Sequence, residues 1–200
     1  MLKPSVTKPD LGAPGPHPVP DRTTTVEKPQ SRRPRYRCRM GEQREILEWA
    51  DVGPATRQLA EMVNADGFQP DVILAIARGG LIVAASLGYA LGVKNTWTMN
   101  VEFYTGVDER LELPIILPPV PELVDLEEAK ILIADDVADT GATLALVKDF
   151  CGPRVGQARI ATLYEKPHST VKCDYVWRRT DRWIVFPWSA QPPLTPRESA

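Results

Sequence analysis

Three features of this chain predict an α/β fold, a parallel twisted sheet flanked by helices. Apolar runs at Val72–Ile76 and Ile131–Ala134 have the length and composition of strands buried on both faces, and Ala158–Tyr164 reads as a further strand. Helix-length apolar segments follow the first two runs, starting at Leu81 and at Leu144. A glycine-bearing loop makes the join each time, first Ala77-Arg78-Gly79-Gly80 and then Asp139-Thr140-Gly141-Ala142-Thr143. Strands alternating with helices argue a parallel sheet. Ligands of such sheets bind beyond the carboxyl ends of the strands, where both loops fall.

The bulk numbers bound the rest. The 200 residues suit one domain plus an appendage. Residues 1–40 are the appendage: eight of the 20 prolines fall there, with few large apolar residues and the basic run Arg32-Arg33-Pro34-Arg35-Tyr36-Arg37-Cys38-Arg39. Such a composition buries too little surface to offset its ordering entropy, so the tail is expected to be disordered, and Met40 stands as an alternative start. Residues 41–190 form the domain, and 191–200 return to proline and polar residues and fray. A formal net charge of -2 argues against nucleic acid as a partner of the folded part. Three cysteines without metal spacing fit a reducing, cytoplasmic setting. No apolar run reaches membrane-spanning length. Two histidines, His17 and His168, are too few for a histidine-based triad or metal site.

Taken in order, Ile46, Leu47 and Trp49 lead into a helix that Asp51 caps, with Pro54 in its first turn. Leu59, Met62 and Val63 recur at helical spacing until Asp66-Gly67 stops it. The Val72 strand, the Arg78 loop and a buried helix from Leu81 to Leu91 come next, ending at Gly92. Asn95–Phe103 alternates like a strand. Residues 104–128 break the rhythm: a polar, glycine-containing stretch precedes Pro114, Pro118, Pro119 and Pro121, and a connection of this length is functional, disordered or an ordinary surface excursion. After the strand at 158–164, Asp174–Trp188 reads as two short aromatic strands around Thr180-Asp181, a small hood.

Chemistry concentrates at 130–150. The Ile131–Ala134 strand runs into two adjacent carboxylates, Asp135 and Asp136, and a third, Asp139, opens the Thr/Gly loop before the helix. A helix N-terminus offers free N–H groups and a positive dipole end to a phosphate. Gly141 permits close backbone approach, and Thr140 and Thr143 add hydroxyl donors. The paired acids suit a sugar cis-diol or a hydrated Mg²⁺. A phosphorylated ribose satisfies all of these together. The Arg78 loop is a second anion seat, where backbone amides converge beside a guanidinium.

The strand, two acids, spacer and Asp-Thr-Gly-x-Thr resemble the ribose-phosphate motif of the type I phosphoribosyltransferases. Arg78-Gly79-Gly80 is similar to the pyrophosphate loop of that family, in the family's order. The resemblance covers roughly residues 44–188 and is closest to the xanthine–guanine and hypoxanthine enzymes. It implies the type I fold with a small C-terminal hood at about 166–188, and a cis peptide at Ala77–Arg78. It implies a Mg²⁺-dependent reaction of phosphoribosyl pyrophosphate (PRPP) with a 6-oxopurine, giving the nucleoside monophosphate and pyrophosphate.

Residue roles implied by the resemblance follow. Arg78, Gly79 and Gly80 take the pyrophosphate, and Asp135 and Asp136 take the ribose hydroxyls and Mg²⁺. Thr140, Gly141, Ala142 and Thr143 anchor the 5′-phosphate. Asp139 is the candidate general base or acid near purine N7. Lys166 donates to the purine 6-oxo group, Trp183 stacks on the ring, and the Ile184 backbone meets the 2-position. Segment 102–112 is the candidate lid, with Tyr104 and Arg110 reaching the substrate, and the assembly is a homo-oligomer, dimer or tetramer. Three departures stand out: Ala142 replaces a second loop glycine, Ser189 stands where an acid is expected, and the proline-rich 113–121 stretch is long. Two other readings compete, a phosphoribosyltransferase for another base or acceptor, and a PRPP- or nucleotide-sensing regulator on the same fold.

Overall fold

The computed structural model describes residues 44–105, 110–117 and 127–194; the tail at 1–40 and the basic run lie outside them. The described chain starts with β1 (Arg44–Ile46) and α1 (Trp49–Ala65), then β2 (Val72–Ala77), α2 (Gly79–Leu91), β3 (Thr96–Thr105) and β4 (Arg110–Leu117). It continues with β5 (Lys130–Ala138), α3 (Ala142–Cys151), β6 (Gln157–Glu165), β7 (Tyr175–Arg179) and β8 (Trp183–Val185). Six strands form one sheet in the order β4-β3-β2-β5-β6-β7, parallel throughout except that β4 lies antiparallel to β3. The expected parallel α/β architecture is observed.

The apolar runs occupy the centre of that sheet. Ile73, Leu74, Ala75, Ile131, Leu132, Ile133 and Ala134 are fully buried because helices cover both faces. On one face, α1 and α2 pack Leu59, Val63, Val83 and Leu87 against Ile73, Ala75, Leu132 and Ala134. On the other, α3 sets Leu144, Val147 and Cys151 against Leu74, Ile76, Ile131 and Ile133. The alternation of facing residues along β2 and β5 thus divides one sheet between two cores.

Helix boundaries follow local chemistry. Glu48 is the N-cap of α1, and Asp51 stands at its third position, where its carboxylate accepts from the Glu48 N–H at 3.3 Å. Asp51 therefore closes a capping box instead of capping directly. Pro54 falls inside the helix, in its second turn, and Gly67, at φ 69°, takes the left-handed turn that ends it. Gly92, at φ 71°, does the same for α2.

Two further expectations change. The stretch after residue 104 contains β4, an edge strand paired Val101 to Ile116 and Phe103 to Pro114, with a register shift between Phe103 and Thr105. Proline is tolerated there because an edge strand has one side without ladder partners. Residues 106–109, within the segment expected as a lid, and 118–126 lie outside the described residues, as do the side chains of Tyr104 and Arg110. The hood is also smaller than expected and is built from both ends of the domain. Of its two aromatic strands, β7 joins the main sheet beside β6, where the Asp174 carboxylate accepts from the Ile160 N–H at 2.8 Å. Only β8 leaves that sheet, pairing in parallel with β1.

Candidate functional site

The order β2-β5-β6 sets three loops side by side at the carboxyl edge of the sheet. From β2 the chain moves outward to β3, and its later return to β5 on the opposite side of β2 creates a switch point between the two. The Arg78 loop lies on one side of that point and the Asp139–Thr143 loop on the other. Lys166 follows β6, one strand further.

At the first loop, the Ala77–Arg78 peptide is cis. Arg78 is exposed at the start of α2. The two glycines that follow leave room for the neighbouring strand. A Cβ on Gly79 would sit 1.8 Å from Asp136 Oδ2, and one on Gly80 would sit 2.4 Å from the Ala134 carbonyl. The pair is thus required for packing α2 against β5, a reason that adds to any role in holding an anion.

The acids are part of β5, which runs on through them to Ala138 and pairs with β6 as far as Glu165. β2 pairs with it only to Ala134, so the acid pair emerges where the β2 side opens. Asp135 is buried, at 8% exposure, and Asp136 is half-buried. Burial, and then the charge of Asp136 beside it, push the Asp135 pKa well above the ordinary carboxylate range. Burial also raises Asp136, against the pull of the Trp188 indole N–H, which donates to Asp136 Oδ2 at 3.2 Å. Two acids held this way favour their charged forms once a cation or a hydroxyl-rich ligand arrives. Among the described residues no cluster of three His, Cys, Asp or Glu gathers for a metal. A two-carboxylate donor set fits Mg²⁺, which keeps waters and shares its shell with substrate phosphates.

Gly141 starts α3 at φ 86°, and a Cβ there would lie 2.7 Å from Ser169 Oγ and 2.8 Å from the Val171 nitrogen. Only glycine serves at this position. Ala142 is the first helical residue, so the departure from a second glycine is accommodated. The Ala142 N–H reaches the Thr140 hydroxyl at 3.3 Å, and Ala145 is the residue that bonds back to the Gly141 carbonyl, at 2.9 Å. The N–H groups of the first turn lack a helical partner by geometry. Segment 166–170 braces this loop: Lys166 N–H donates to the Ala138 carbonyl and Thr170 N–H to the Thr140 carbonyl, each at 2.9 Å.

Between these loops and the hood opens a cleft of about 800 Å³. Asp139, Lys166, Trp183 and Ile184 all line it. Strand-end lysines are usually solvated and tryptophans usually core; here the reverse holds. Lys166 is 7% exposed with its ammonium donating to the Arg182 carbonyl, while Trp183 is 67% exposed with its ring available for stacking. Arg78 and Thr140–Thr143 do not line this cleft and lie at the adjoining strand ends. The cleft also contains residues that sequence reasoning passed over: Val137, His168, Asp181, Arg182 and Phe186. His168 Nε2 is 3.2 Å from Asp139 Oδ1, a pairing on which the histidine count, which spoke against a triad or a metal site, was silent. Ser189 lines the same wall.

Glu165, next to Lys166, ties this wall of the cleft together. Its carboxylate is 1% exposed and accepts from the Cys173 N–H at 2.9 Å and from Arg179 Nε at 3.0 Å, with Lys172 Nζ at 3.8 Å. Burial alone would raise its pKa, but the Cys173 N–H, Arg179 and Lys172 outweigh it and hold the carboxyl below the ordinary range. Arg179 and Lys172 are largely exposed, so their share is screened. Glu165→Gln is expected to lower stability by about 1–2 kcal/mol at pH 7, because the oxygen that accepts from the buried Cys173 N–H loses its charge and Arg179 loses a carboxylate partner. A depressed pKa contributes stability above the unfolded value, about 4.3, that is lost as pH falls through the folded one. Urea midpoints of wild type and variant should therefore converge below that pH; a gap that persists there refutes the electrostatic account.

Residues 42–193 match the family model described as the phosphoribosyl transferase domain. The chain is 33% identical over 149 residues to a xanthine-guanine phosphoribosyltransferase of Cereibacter sphaeroides, covering 71% of this chain and 84% of that one. It is 30% identical over 153 residues to the Ruegeria sp. enzyme of the same name, covering 71% and 83%. Among solved structures, it is similar to a purine phosphoribosyltransferase from Pyrococcus horikoshii, with a TM-score of 0.65 and 38% identity over 78% of this chain and 99% of that one.

Proposed function

This chain belongs to the phosphoribosyltransferase family, and from that premise we propose that it transfers the phosphoribosyl group of PRPP to a 6-oxopurine with Mg²⁺. The products are the nucleoside monophosphate and pyrophosphate. One observation carries the choice of base: a buried lysine, Lys166, lines a cleft that also presents an exposed indole, Trp183, and a carboxylate, Asp139. A lysine ammonium only donates, so it pairs with a 6-oxo group and opposes a 6-amino group. The names of the relatives with purine substrates support the same reading.

In this reading the first turn of α3, with Thr140, Gly141, Ala142 and Thr143, receives the 5′-phosphate, and Arg78 beside Gly79 receives the pyrophosphate. Asp135 and Asp136 accept hydrogen bonds from the ribose hydroxyls and would hold the metal through its waters. Mg²⁺, when bound, neutralises charge on the departing pyrophosphate. As the C1′–oxygen bond breaks, C1′ gains oxocarbenium character, and the purine nitrogen closes on it. Asp139 takes the proton that the base must shed, and the Trp183 ring holds the base in plane. Residues 102–112 are the segment expected to shield the activated sugar from water.

The test is pyrophosphate release from PRPP with Mg²⁺ across a panel of bases. Guanine, xanthine or hypoxanthine should support turnover at a kcat/KM at least about a hundredfold above that of adenine. Adenine or orotate as the best acceptor would refute the role given to Lys166. PRPP binding with no acceptor turning over would favour the sensing reading.

A further inference from the structure

Trp188 lies beyond the cleft, yet it touches the acid pair. Its indole N–H donates to Asp136 Oδ2 at 3.2 Å. The ring stacks on Phe186 with centroids 4.9 Å apart and planes 15° apart. Trp49, the first residue of α1, meets it at 5.8 Å and 62°. Neighbours on two sides therefore fix the indole, and with it the direction of its N–H. Gly79 adds a second constraint on the same carboxylate, because any side chain there would overlap Oδ2. Asp136 thus has one oxygen located by an absent side chain in α2 and by a donor from the hood.

The contacts form a path. Phe186 lines the cleft, Trp188 stacks on Phe186, and Asp136 accepts from Trp188. We propose that Trp188 is a positioning residue for PRPP: its N–H holds the Asp136 carboxylate in the rotamer that meets the ribose and its metal. The indole also joins that acid to the wall of the base cleft. The inference rests on the reading of Asp136 as a ribose-side acid given above. A tryptophan that only filled space would be replaceable by phenylalanine with no change in PRPP affinity.

Trp188→Phe keeps a ring against Phe186 and Trp49 and deletes the donor. Titration calorimetry of the full chain with PRPP and Mg²⁺, without base, should show about tenfold weaker binding, the scale of one hydrogen bond to a charged group. The KM of the base should stay within about twofold, because the cleft residues are untouched. Asp136→Asn is measured alongside. Weaker PRPP binding in both variants supports the proposal. Weaker binding in Asp136→Asn alone overturns the Trp188 role and leaves the acid assignment standing. Unchanged binding in Asp136→Asn overturns the acid assignment itself. An equal rise in both KM values with a lower Tm in Trp188→Phe marks a packing role and overturns positioning. If the phenylalanine variant does not fold, benzothienylalanine at 188, with sulfur in place of N–H in the same ring outline, gives the same readings.

Discussion

Asp139→Asn should lower kcat/KM by about 10²- to 10⁴-fold, the range that a positioned proton acceptor contributes. The fold should hardly register the change. Asp139 and its partner His168 are each 62% exposed, and such surface pairs contribute about 1 kcal/mol or less. Asparagine also keeps the oxygen that faces His168 Nε2, so the loop geometry should persist. What the substitution removes is basicity at a carboxylate lining the same cleft as Lys166 and Trp183. Steady-state rates at saturating PRPP with the preferred base, beside a thermal melt, separate these effects. A kcat/KM within about fivefold of wild type would remove Asp139 from the chemistry and leave the proton to another group of the cleft.

The parts of this site that could be read from the chain are those written locally. Val72–Ile76 and Ile131–Ala134 announce buried strands because helices cover both faces, so every position is apolar. The Asp135-Asp136 pair and the Asp139–Thr143 loop are contiguous, and Gly141 has the positive φ that only glycine serves comfortably. Pairing partners are not local. β8 pairs with β1, which lies some 140 residues earlier, and nothing in Trp183-Ile184-Val185 encodes that choice against β7. β4 escaped because Pro114 and the prolines that follow it in the sequence read as loop, although an edge strand tolerates a proline.

Trp188 escaped for the same reason as the β1 pairing. Fifty-two residues separate it from Asp136, and in the sequence it reads only as the end of the aromatic hood stretch, with nothing to link it to the acids. The glycines after Arg78 show the converse. Their place beside an arginine suggested an anion seat, while the structure gives them a packing duty against Ala134 and Asp136 as well. A motif residue here answers to two constraints, and sequence alone exposes only one.

The acid pair supplies the second large expected effect, and it has opposite signs on function and on stability. Asp135→Asn should weaken PRPP binding by at least about a hundredfold, since in the proposed role it removes a charge from the buried pair that takes the metal and the diol. The same change should raise the Tm of the ligand-free protein by a few degrees at pH 7.5 in chelator. Burial and Asp136 raise the folded pKa of Asp135 above its unfolded value, about 3.9, so the folded state binds that proton more tightly than the unfolded chain does. Its contribution is then fully present below the unfolded pKa and is lost as pH rises through the folded one. The variant, which has no charge to desolvate, escapes that loss while keeping the oxygen that accepts the Asp136 N–H at 2.9 Å. Melts from pH 4 to 8 should show its advantage growing with pH, and added Mg²⁺ with PRPP should reverse the order by stabilising wild type alone. A variant less stable than wild type at pH 7.5, or one that binds PRPP equally well, would mean that Asp135 is a structural acid already satisfied within the fold and does not await a ligand.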